Sequence, residues 1–209
     1  MHIRRLGAAV ALAIASAYLA APGSAAVVVP KPQLTDPAGD SIGNQASLDL
    51  ISATYSTTGI TTTTKVRGKT VKTYKPKNLV VTLTLNAPPS TQTGVKYQLD
   101  AQVDGCGSFG YSYTPGAATG ANSLFTACPA GANAASGGTL IKPDTTFVGN
   151  SIVWTVPLAA LPSEVKVGSS FGTFTAAVGL AEPVTGVIGT NDLGFAFDTA
   201  KSDSVWKLG

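Results

Sequence analysis

Histidine is almost missing from this chain: its single copy is His2, inside a basic and then apolar leader. If that leader is removed, the remaining protein can build neither a Ser-His-Asp triad nor a histidine-ligated zinc site. Charge is also sparse, at 12% of residues, and no Gly-rich phosphate loop of the P-loop or Rossmann type occurs. Long apolar runs are confined to Leu6–Ala21, shorter than the roughly 20 residues a membrane span needs. Helical periodicity is lacking beyond the leader.

Met1-His2-Ile3-Arg4-Arg5, the uncharged run to Ala21 and the small residues Pro22-Gly23-Ser24-Ala25-Ala26 make residues 1–26 a secretory signal peptide. Cleavage after Ala26 leaves 27–209, the size of one domain. The net charge of +3 includes Arg4 and Arg5, so the exported chain carries 12 basic and 11 acidic side chains. A secreted, extracellular protein without a transmembrane segment is expected. Its two cysteines, Cys106 and Cys128, are then expected to form one disulfide.

What the chain does contain is period-two alternation. Val95, Tyr97, Leu99, Ala101 and Val103 are apolar, with Lys96, Gln98, Asp100 and Gln102 between them, the pattern of a half-buried strand. Leu79–Leu85 and Ser151–Val156 behave alike, the latter with Ile152, Trp154 and Val156 on one side; Trp154 is read as core. Weaker alternation marks 48–55, 171–178, 193–197 and 205–208. The fold class predicted is all-β, a single antiparallel two-sheet sandwich of jelly-roll type. Ile60–Val66 and Thr70–Tyr74 flank Arg67-Gly68-Lys69 as a hairpin; the Gly-, Ala- and Ser-rich stretch 108–138 reads as a long loop with short strands; residues 157–162 allow one helical turn.

Four features carry functional expectations. Asp36-Pro37-Ala38-Gly39-Asp40, followed by Asp49, fits a type I turn with Asp first, Pro second and Gly fourth. The same acids can also supply hard oxygen ligands to Ca²⁺, and both readings stand. Trp206, Tyr111 and Tyr113 are candidate sugar-stacking aromatics, since rings give large contact area at low entropic cost; the alternative for the tyrosines is packing beneath the disulfide loop. Lys65, Arg67, Lys69, Lys72, Lys75 and Lys77 lie in a stretch, 50–99, that has no acid at all. That basic hairpin can attract an anionic polymer or simply guard an edge ribbon against aggregation; nucleic acid is not expected as its partner. Finally, nine Asp and two Glu keep carboxylate catalysis formally open, but no spacing selects a pair.

Asp36–Asp40, then Leu48-Asp49-Leu50-Ile51-Ser52-Ala53 and the strand 79–85, resemble the start of family-nine carbohydrate-binding modules and of the C-terminal domain of glucodextranase. Residues 154–161, 168–174 and 198–209 are similar to the far half of such domains. The resemblance implies an exported bacterial sandwich, often with structural calcium and sometimes with sugar binding. The family's calcium-holding turn would fall on Asp36, Asp40 and Asp49, with Asp198 as partner from the last strands. The expected function is therefore a secreted, non-catalytic binder of extracellular carbohydrate or cell-envelope polymer. The alternatives are a structural or adhesive surface protein working through hairpin 65–77 and, behind it, a carboxylate-based hydrolase or lyase.

Overall fold

The computed structural model describes residues 30–116, 122–128, 138–181 and 193–209; residues 1–26, expected to form a signal peptide, lie outside them. β1 (Leu34–Thr35), β2 (Leu50–Val66) and β3 (Lys69–Leu85) open one sheet. The chain then crosses to a second sheet for β4 (Val95–Val103), β5 (Gly107–Tyr113), β6 (Asn122–Thr126) and β7 (Thr139–Ile141). It returns for β8 (Asp144–Val148) and β9 (Ser151–Pro157) and ends in the second sheet with β10 (Ser170–Ala181) and β11 (Leu193–Lys207). The spatial orders are β1-β2-β3-β9-β8 and β11-β10-β4-β5-β6-β7, with every pairing antiparallel. This is an all-β two-sheet sandwich. Among the described residues no helix is long and apolar enough to cross a membrane.

Alternation decides the core. Tyr55, Leu79, Val81, Leu83 and Trp154 face inward from the first sheet, and Tyr97, Leu99, Phe109, Tyr111, Phe171 and Phe174 from the second, all fully buried. Rings meet across the gap: Tyr55 lies 4.9 Å from Phe174 and 6.0 Å from Tyr111, and Tyr111 lies 5.9 Å from Trp154. Beyond their area burial, such pairs contribute about 0.5–1.5 kcal/mol each. Cys106, in the β4–β5 turn, is bonded to Cys128, just past β6. Constraining the unfolded chain in this way is worth roughly 3 kcal/mol.

The stretch from 108 contains short strands, as expected: β5 pairs along its whole length with β4 and holds Phe109 and Tyr111 in the core; residues 117–121 and 129–137 lie outside the described residues. Two other sequence expectations are corrected. The segments 193–197 and 205–208 are one strand, β11, since the polar stretch between them still pairs with β10. The Asp-Pro-Ala-Gly-Asp turn centres on Ala38-Gly39, with Gly39 at φ 89°, a conformation that a type I turn does not contain. The short helical turn appears as a 3-10 turn at Leu158–Ala160.

Candidate functional site

The acidic turn follows β1 and is stitched to strands from both ends of the chain. The Asp36 N–H donates to the Ile51 carbonyl at 2.9 Å, and the Ile42 N–H donates to the Phe197 carbonyl at 2.8 Å. The second bond draws the turn against β11, next to Asp198. One carboxylate oxygen from each of Asp36, Asp40 and Asp198 comes within 4.8 Å of the others. Asp49 stands behind this trio and outside it. Its Oδ2 accepts from the Gly39 N–H at 2.7 Å and from Asn86 Nδ2 at 2.9 Å, so that oxygen braces the turn.

The cluster is electrostatically costly. Partial burial, then the charges of Asp198, Asp40 and Asp49, push the Asp36 carboxyl up to about 6. Burial also raises Asp198, while the Leu50 N–H, donating to its Oδ2 at 2.6 Å, acts in the opposite sense. Asp36 Oδ2, Asp49 Oδ1 and Ser41 Oγ are buried without a hydrogen-bond partner. Three carboxylates and spare hard oxygens suit Ca²⁺, which takes six to eight oxygens and tolerates irregular geometry. With no nitrogen or sulfur donor in the trio, the set does not suit zinc.

The aromatic candidates separate. Tyr111 is fully buried, so it belongs to the core and not to a sugar platform. Tyr113 shares its inward face and is half-buried, packed against Tyr97 at 6.0 Å and Phe147 at 5.0 Å. Trp154 is core, as expected. Trp206 differs. It packs on Phe171 at 5.4 Å and Tyr55 at 5.9 Å, yet it also lines an open groove of about 510 Å³ with Tyr55, Ser56, Thr57 and Tyr74.

Above this groove β2 and β3 leave the sandwich. β1 pairs with β2 only at Ser52–Ala53, and β9 pairs with β3 only over Asn78–Thr84, so residues 58–77 run on as a two-stranded ribbon whose edges pair with no other described strand. Seven residue pairs beyond Gly59 make it roughly 23 Å long at the usual strand rise. Threonines fill it, β-branched residues that suit extended backbone. Arg67 and Gly68 close it with φ 49° and 78°, the sign needed by a tight hairpin turn of the right twist. The hairpin is therefore longer than the sequence suggested. All six of its cations are exposed, and among the described residues the one ion pair is Lys201–Asp203, far along β11.

Tyr74 is the site residue that sequence reading did not nominate. It is the single aromatic among the hairpin's cations, but only the fold brings it to the groove that Trp206 also lines. Compared with known proteins, the chain matches no family model, no curated protein and no solved structure.

Proposed function

We propose that this is an exported, non-catalytic sandwich protein that binds extracellular carbohydrate or cell-envelope polymer and holds a structural Ca²⁺ at its acidic turn. The observation that carries the reading is the groove lined by both Trp206 and Tyr74 at the base of the ribbon. Both rings are held in place: Trp206 by Phe171 and Tyr55, and Tyr74 through its hydroxyl, which donates to Thr57 Oγ1 at 3.1 Å. Rings fixed before binding lose little entropy when a sugar face stacks on them. Calcium is supported by the trio of Asp36, Asp40 and Asp198, and it agrees with the resemblance to family-nine modules.

A second reading, a structural or adhesive surface protein engaging an anionic envelope or a protein through hairpin 65–77, draws support from the ribbon's unneutralised charge. Salt separates the two, because exposed charge attraction is screened at high ionic strength and stacking is not. The test is a panel of neutral and acidic polysaccharides in affinity electrophoresis, with the wild type beside Tyr74→Ala. Retardation by at least one polysaccharide, weakened by Tyr74→Ala and persisting at high salt, is the expected result. Binding that ignores Tyr74→Ala and vanishes with salt would favour the second reading.

A further inference from the structure

We propose that the ligand is an acidic glycan lying in the groove and continuing along one face of the ribbon, on a track of Trp206, Tyr74, Lys72 and Lys65. The inference rests on the carbohydrate-binding reading above and adds to it the ligand's charge and path.

Register supplies the track. Tyr74 pairs with Thr61, Lys72 pairs opposite Thr63, and Lys65 sits opposite Thr70. Paired residues of an antiparallel ribbon share a face, and residues two apart on one strand share it too. Tyr74, Lys72 and Lys65 therefore point the same way, with Thr61, Thr63 and Thr70 between them. The opposite face carries Ile60 with Lys75, Thr64 with Val71, and Val66 with Lys69. Its exposed Ile60, Val66 and Val71 set it apart from the track, whose other side chains are hydroxyls. From Tyr74 to the level of Lys65 is four residues, about 13 Å of strand.

A chain laid in the groove can stack a sugar ring on Tyr74 and Trp206, then meet threonine hydroxyls and two ammonium groups spaced along its path. Cations without acidic partners among the described residues, beside an aromatic groove, complement a polymer that carries sugar rings and regularly spaced negative groups. A neutral glycan would use the groove and leave the lysines idle. An anionic surface without sugar rings would use the lysines and leave the groove empty.

The test compares polygalacturonate with its fully methyl-esterified form, the same backbone with its charge removed, by calorimetric titration of the intact protein. Three variants accompany the wild type: Tyr74→Ala, the track pair Lys65→Gln/Lys72→Gln, and the control pair Lys69→Gln/Lys75→Gln on the other face. All these side chains are exposed, so folding is not at stake. The acid form is expected to bind more tightly than the ester, with the track pair costing about tenfold in affinity and the control pair under about threefold, the scale of exposed ion pairs. Tyr74→Ala should weaken both forms. Equal losses from both lysine pairs would overturn the track, since charge would then act without a path. Equal binding of acid and ester, untouched by either pair, would overturn the inference while the carbohydrate reading stands. Failure of the acid form to bind, with retention of anionic lipid vesicles or duplex DNA, would also overturn it. In that event, neutral polysaccharide binding that responds to Tyr74→Ala decides whether the broader reading survives.

Discussion

Asp100 shows how strongly position acts on a single side chain. It lies on β4 facing away from the sandwich interior, yet burial pushes its carboxyl up to about 7, against the Gln98 amide, which donates to Oδ2 at 2.8 Å, and the charge of Lys96. Its Oδ1 and the Gln98 Oε1 are buried without partners. Because the folded carboxyl holds its proton up to about 7 while the unfolded one releases it near 3.8, folding takes up a proton between those values. Stability must then fall as pH rises through that window. Asp100→Asn should leave the melting temperature near wild type at pH 4 and raise it at pH 8, by about 2–4 °C for each kcal/mol recovered. Melting curves across the range, taken in chelator, check this; parallel curves for both proteins would show that Asp100 is not the source. Alternation in sequence assigned Trp154 to the core correctly. It could not do the same for Tyr111, because a period of two says which residues share a face and leaves open what covers that face.

At the scale of elements, the ribbon depends on one close approach. A side chain at Gly59 would place Cβ 2.2 Å from the Lys75 carbonyl oxygen and 2.7 Å from Pro76 Cα, where the register slips between Thr58 and Gly59. Neither neighbour is a flexible side-chain tip, so the strands must part. An isolated two-stranded ribbon has little stability in reserve. Gly59→Ala should therefore abolish amide-exchange protection over 60–75 while leaving that of β9 and β10 nearly intact. Uniform loss of protection throughout the protein would show that the ribbon and the sandwich unfold as one unit. Sequence placed this hairpin and its Arg67-Gly68 turn but not its full reach, since strand propensity varies smoothly from 50 to 66 and does not mark where neighbours stop. In the Gly- and Ser-rich stretch the short strand expected around Tyr111 and Tyr113 is β5, held by pairing with β4 on one side and β6 on the other, which overrides a weak local preference for loop.

For the whole molecule, the acidic trio joins the turn after β1 to the last strand, and a cation there would clamp the two ends of the described chain. Calcium that binds only the folded state, present at about a hundred times its dissociation constant, adds about 2.7 kcal/mol. The melting temperature should rise by about 5–10 °C over that in excess chelator. Asp40→Ala should abolish the rise. Its survival in that variant, or its absence in the wild type, would leave Asp36–Asp40 as a turn alone.

The sequence by itself determined the all-β class, the partition of most strands into two faces, the pairing of the two cysteines and the crowding of cations into residues 65–77. These follow from local period and composition, including a cysteine count of two, which the sequence expresses without help. Only the tertiary structure decided that Asp198 meets Asp36 across 162 positions while Asp49, nearer in sequence, serves as a brace. It alone brought Trp206 and Tyr74 to one groove and left the hairpin beyond the reach of β1 and β9. Those outcomes depend on which strands pair and how the sheets close over one another, and long-range register is set by the packing of the entire core, not by any one segment of the chain.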